Sequence, residues 1–193
     1  MHVIIAGAAR SGKTTISVMM NEYGFVHYKM DSIKRGLGET FDINYDDWAE
    51  VSPIMCKIIN RMIKDQETDT NNDKEKYIKD IPYIYPKDIS MIDTKDTLVI
   101  FMGYPNLTYE EAFNAIRKYD KPSFWTSKAS DEVLMKWCIE NVDFSKYLES
   151  ECKKYNIKFF DISHNREEVF NSIKEYILEE EKSRKWLPCI KVN

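Results

Sequence analysis

Near the start of the chain, two glycines, a lysine and a hydroxyl stand at fixed spacing: Gly7, Ala8, Ala9, Arg10, Ser11, Gly12, Lys13 and Thr14, with a second hydroxyl at Thr15. This is the pattern GxxxxGK[ST], and a phosphate-binding loop needs each part of it. Several backbone N–H groups must converge on one polyanion, and Gly7 and Gly12 allow the backbone angles and the close approach. Lys13 reaches the β- and γ-phosphates, and the Thr14 hydroxyl is a ligand for Mg2+. A helix that starts here turns its positive end to the same anion. The expected occupants of residues 7–15 are ATP, or a related nucleotide, and Mg2+.

Such a loop works only between a strand and a helix, and the flanking sequence supplies both. Residues 3–6 form a short apolar run that reads as a buried parallel strand. After Lys13, the residues Ile16, Met19, Met20 and Tyr23 fall on one helical face, and Gly24 suits the cap that ends it. Further strands are expected at 25–30, 77–84, 97–102 and 157–162. Segment 46–66 reads as helix, with Ser52 and Pro53 as its cap and first-turn pair. Thr108 and Glu111 make a capping box for the next helix. Two separate helices fit 131–140 and 144–155, and a last one fits 166–181, built on Val169, Phe170, Ile173 and Ile177. The polar stretch 65–76 is expected to be a solvated loop. The tail from Glu179 has no clear period, and Trp186 and Leu187 have no assigned place. Strands separated by helices imply one α/β domain over 1–193, with a mostly parallel five-stranded sheet and helices on both faces.

The 193 residues suffice for one full core. Apolar residues make up 43% and charged residues 31%, as in soluble globular chains. The net charge of -4 argues against a nucleic-acid partner, which calls for a broad basic face. No apolar run is long enough to span a membrane, and the start is too short in apolar length for a signal peptide, so a cytoplasmic location is expected. The cysteines Cys56, Cys138, Cys152 and Cys189 form no CxxC pair, and His2, His27 and His164 lie far apart. No Cys/His metal cluster is expected.

The stretch Gly7-Ala8-Ala9-Arg10-Ser11-Gly12-Lys13-Thr14-Thr15, then Tyr28-Lys29-Met30-Asp31-Ser32-Ile33-Lys34-Arg35-Gly36-Leu37, resembles the small P-loop kinases. These are related to adenylate kinase, shikimate kinase and the zeta-toxin or chloramphenicol phosphotransferase group. The likeness continues through Tyr83-Ile84-Tyr85-Pro86 and Phe101-Met102-Gly103-Tyr104-Pro105, and ends at Tyr155-Asn156-Ile157-Lys158-Phe159-Phe160-Asp161. It implies a three-layer P-loop NTPase fold and ATP-dependent phosphorylation of a small-molecule acceptor, with nucleosides and nucleotides in that class. Segment 32–76 would bind the acceptor, and residues near 117–130 would form a lid. The sequence departs from adenylate kinases at Gly103-Tyr104-Pro105-Asn106, where an acid and an arginine are missing, and in a lid with one arginine. It lacks an NKxD-type guanine motif, because Thr94-Lys95 is followed by Asp96-Thr97.

Within this resemblance, Asp31 is the candidate carboxylate that orients the acceptor hydroxyl and takes its proton; a plain helix cap is the competing role. Lys34 and Arg35 are candidate substrate-binding cations, or a solvated helix face. Asp80 is a candidate acid beside Mg2+, or a surface carboxylate. Arg117 is a candidate catalytic lid charge, or an exposed helix residue. Trp48, Trp125 and Trp137 line a pocket or fill the core. A nucleotide-dependent regulatory protein with slow hydrolysis is the alternative from another class, and a kinase of nucleic-acid ends is a further one.

Overall fold

A computed structural model describes residues 1–41, 44, 47–68, 75–82 and 84–185. The first strand, β1 (His2–Gly7), is buried along its whole length. Its side chains alternate between two cores, Val3 and Ile5 entering one while Ile4 and Ala6 enter the other. A strand with both faces covered needs an unbroken apolar run, which is how residues 3–6 read.

The chain continues as α1 (Lys13–Met19), a short 3-10 turn closed by Gly24 at φ 81, and β2 (Phe25–Lys29). Then come α2 (Asp31–Phe41), α3 (Trp48–Thr68), β3 (Lys76–Ile81) and β4 (Thr97–Gly103). The last elements are α4 (Tyr109–Tyr119), α5 (Trp125–Lys128), α6 (Asp131–Lys154), β5 (Lys158–Asp161) and α7 (Arg166–Lys185). The sheet has five strands in the order β2-β3-β1-β4-β5, and every described pairing is parallel. Strand β1 is central, and the chain first fills one side of it and then the other. The carboxyl end of β1 is therefore a topological switch point, where open α/β sheets hold ligands.

Helices α1, α4 and α7 and the first half of α6 cover one face, with Ile16, Ile116, Leu134 and Ile173 in that core. Helix α3 and the second half of α6 cover the other, with Met55, Ile59, Leu148 and Cys152. The expected three-layer α/β fold is thus observed. Among the described residues, no helix is long and apolar enough to cross a membrane.

Four expectations change. Helix α3 starts at Trp48, and Asp47 Oδ1 accepts from the N–H groups of Ala49 and Glu50, so Asp47 is the cap. Ser52 lies inside the helix, where its Oγ donates to Asp88 at 2.5 Å and accepts from the Tyr85 N–H at 2.9 Å. The same helix runs on through residues 65–68, so the polar segment is partly helical, and 69–74 lie outside the described residues. The two helices expected over 131–155 are one helix of 24 residues. No glycine or proline interrupts it, and Val142 is buried at the expected break. The last helix extends to Lys185, while Trp186 and Leu187 lie outside the described residues.

Candidate active site

The loop of residues 7–14 hangs between β1 and α1 and is fastened on three sides. The Ala8 N–H donates to the Met102 carbonyl at 3.0 Å, tying the loop to β4. Tyr104 Oη donates to the Ala9 carbonyl at 2.7 Å. Gly7 has φ 134, and a Cβ there would lie 1.9 Å from the Met102 oxygen, so no other residue fits. Gly12 has φ 87, and its Cβ would lie 2.3 Å from Cζ of Phe170 on α7. Helix α1 follows directly, so its first-turn N–H groups and the curled loop backbone serve the same anion.

Arg10 also has positive φ, at 62°. An arginine in this conformation costs about 1–3 kcal/mol and persists where side-chain contacts fix it. Here they come from far along the chain. Its Nη2 lies 3.0 Å from Asp120 Oδ2 and donates to Thr126 Oγ1 at 3.1 Å, and its guanidinium is 3.9 Å from the Phe124 ring centre. Thr126 is fully buried and donates in turn to Asp120. The Arg10 side chain thus joins the phosphate loop to residues 120–126.

Lys13 is buried at 8% exposure, and its Nζ donates to the carbonyls of Gly7 at 3.0 Å and Ala8 at 2.6 Å. Burial pushes its pKa down to about 8, against the pull of Asp80 and Asp31. Both carboxylates singled out in the sequence therefore act on the loop lysine. Asp80 sits at the carboxyl end of β3, level with Ile5 of β1, and is 2% exposed. Burial alone would raise its pKa, but the His27 imidazole, the Thr14 hydroxyl and the Lys13 ammonium hold it below the usual carboxylate range. Asp31 opens α2 and is half-buried. Thr14 and Thr15 are exposed at the start of α1.

Residues of the wider site divide. Lys34 is buried and Arg35 exposed, so successive positions of α2 face different surroundings. Arg117, expected as a lid charge, is bonded within its own segment. It donates to the carbonyls of Thr126, Ser127 and Ala129, the last at 2.7 Å, and pairs with Asp131 at 2.7 Å. These bonds hold together the segment expected to form the lid. Trp48 packs edge-on against Phe144 at 4.3 Å and stands 6.0 Å from Tyr85, forming an aromatic wall between α3 and α6. Trp125 is 53% exposed and meets Trp137 edge-on at 5.8 Å. His27, Asp120 and Thr126 were missed in the sequence, where no local motif marks them, and Tyr104 and Phe170 were named there without a role at the loop.

Asp80 Oδ2 is a buried, hard carboxylate oxygen without a formed hydrogen bond, and the Thr14 hydroxyl acts on the same carboxylate. Those oxygens suit Mg2+, which takes one or two protein oxygens and completes its shell with phosphate and water. Among the described residues, no group of three or more His, Cys, Asp or Glu could hold a metal by itself.

Loop, sheet order and flanking carboxylate together define an α/β P-loop fold. Comparison with solved structures gives the same fold. Dephospho-CoA kinase from Campylobacter jejuni superposes with a TM-score of 0.52 at 14% identity, covering 95% of this chain and 98% of that one. Shikimate kinase from Bacteroides thetaiotaomicron superposes with a TM-score of 0.50 at 13% identity, covering 92% and 98%. At such identities the likeness is one of fold alone. No protein-family model and no curated protein matches the sequence.

Proposed function

We propose that this chain is an ATP-dependent kinase, cytoplasmic in location, that transfers the γ-phosphate to a small-molecule acceptor. One observation carries the reading: the phosphate loop is complete and shaped, with Gly7 fitted against Met102, Lys13 turned back on the Gly7 and Ala8 carbonyls, and the buried Asp80 carboxylate at the end of the adjoining strand. The solved structures of similar fold are described as kinases, which supports the class.

In this reading residues 7–15 hold the nucleotide phosphates through loop N–H groups and the Thr14 and Thr15 hydroxyls. Lys13 leaves the Gly7 and Ala8 carbonyls when phosphate oxygens arrive and neutralises charge as it develops in transfer. Thr14 and Asp80 would hold Mg2+, which supplies further charge neutralisation on the phosphates. Asp31 orients the acceptor hydroxyl and accepts its proton. Lys34 and Arg35 of α2 bind anionic groups of the acceptor.

The test has two stages. ADP release is screened with ATP and Mg2+ over nucleosides, nucleotides, sugars and small acids. With an acceptor in hand, Asp31→Asn is expected to lower kcat by roughly 10²–10⁴-fold, with ATP affinity little changed. Wild-type turnover in Asp31→Asn would reduce Asp31 to a helix cap. Phosphate released to water at one rate with every acceptor would make the chain a nucleotide-dependent switch.

A further inference from the structure

We infer that His27 is a positioning residue for Asp80, holding that carboxylate in the orientation that serves the metal–nucleotide complex. This rests on the reading above, in which Asp80 is a metal ligand. Strands β2 and β3 pair with His27 opposite Ile78 and Lys29 opposite Asp80. The side-chain period of two puts His27 and Asp80 on one face as diagonal neighbours, within reach of a long side chain. Nε2 of His27 lies 3.3 Å from Oδ2 of Asp80, with the side chains 13% and 3% exposed.

The environment makes this pair unusual. Phe25 and Ile78 on the same face enter the core, so packing alone would favour an apolar residue at position 27. Instead two buried polar atoms face each other, and neither has a formed hydrogen bond. Burying such atoms is costly unless they find partners. A small ring rotation with the proton on Nε2 turns the contact into a donated hydrogen bond. That donor approaches Asp80 from the β2 side, while Thr14 and Lys13 act on it from the loop. A carboxylate gripped from the side cannot swing over to Lys13, and its remaining lone pairs stay with Thr14. Partners of this kind fix ligand orientation, and their loss typically costs about 10–100-fold in metal affinity.

The test is Mn2+ titration of the full chain with saturating ADP, followed by electron paramagnetic resonance. His27→Phe removes the donor, and His27→Val does so with a residue suited to a strand should the first variant not fold. His27→Gln keeps a donor. We expect Mn2+ affinity to fall about tenfold in the donor-less variants and to recover in His27→Gln, with ADP affinity in EDTA unchanged. In an Asp80→Asn background, His27→Phe should add no further loss, since it acts through the carboxylate. Wild-type Mn2+ affinity in the folded donor-less variants, with affinity lost in Asp80→Asn, overturns the inference and leaves Asp80 as a ligand. Wild-type affinity in Asp80→Asn overturns the metal reading and this inference together.

Discussion

Lys13 meets two opposed demands, because the loop must keep a cation ready for phosphate while burying it beforehand. Its pKa is pushed down to about 8 from the ordinary 10.5, chiefly by burial. Between those values the unfolded chain binds the proton more readily than the folded one, so this group makes stability rise with pH across that window. Below pH 8 the buried charge costs up to about 3 kcal/mol. Lys13→Met should therefore stabilise the nucleotide-free protein at pH 7, with the gain shrinking as pH approaches 10.5. Urea unfolding of both forms at pH 7 and 10 measures it, and equal stabilities at pH 7 would refute the strain. The same variant should lose ATP binding. Residue-level chemistry was legible wherever it is written in contiguous sequence, as in Gly7, Gly12, Lys13 and Thr14. It was illegible where partners meet only through folding. His27 reaches Asp80 by strand register, and Arg10 reaches Thr126 across 116 residues.

At the scale of elements, the segment from α4 to α6 is held by two arginines with separate work. Arg117 satisfies the carbonyls that end α5, and Arg10 fastens the segment to the phosphate loop. Arg117→Ala should destabilise the fold by about 1–3 kcal/mol, since half-buried carbonyls lose their donor, and leave the KM for ATP unchanged. A KM that rises tenfold with stability intact would instead show the phosphate-closing role expected of it from the sequence. Arg10→Ala should instead leave global stability nearly unchanged, speed amide exchange over 120–128 and shift the emission of Trp125. An unaltered exchange pattern would show that the contact to Asp120 fastens nothing. Element boundaries were read well where a cap marks them, as at Thr108 with Glu111. They were misread at Ser52, whose hydroxyl serves Asp88 and Tyr85, and at Asn141, whose amide bonds back to Trp137 within one long helix.

On the scale of the whole molecule, two cores share one sheet and one helix. The 24 residues of α6 put Leu134, Cys138 and Val142 into the first core and Leu148 and Cys152 into the second. The cores should therefore unfold together. Ile173→Ala and Ile59→Ala, one in each core, should each cost about 2–5 kcal/mol. Both should shift a single urea transition, seen alike by circular dichroism and tryptophan emission. Separate transitions in either variant would mean that α6 does not couple the layers. The parallel α/β arrangement was readable because its strands are apolar runs spaced by helices. The order of the strands was not, since no local signal says which side of β1 the chain fills first.

That strand order also bears on how the chain comes together during synthesis. Strand β1, made before the other four strands of its sheet, ends up in the middle, wholly buried between neighbours made later. Until β3 is made, β1 has no parallel partner, and until β4 is made it keeps one open, apolar edge of the kind that invites aggregation. The phosphate loop waits as well, because the Ala8 N–H is anchored on the Met102 carbonyl and Gly7 is fitted against it. A nascent chain halted before β4 thus carries the complete sequence motif without the shape that binds phosphate. Nucleotide capture belongs to the late stage of folding, although its residues leave the ribosome before those of β3 and β4.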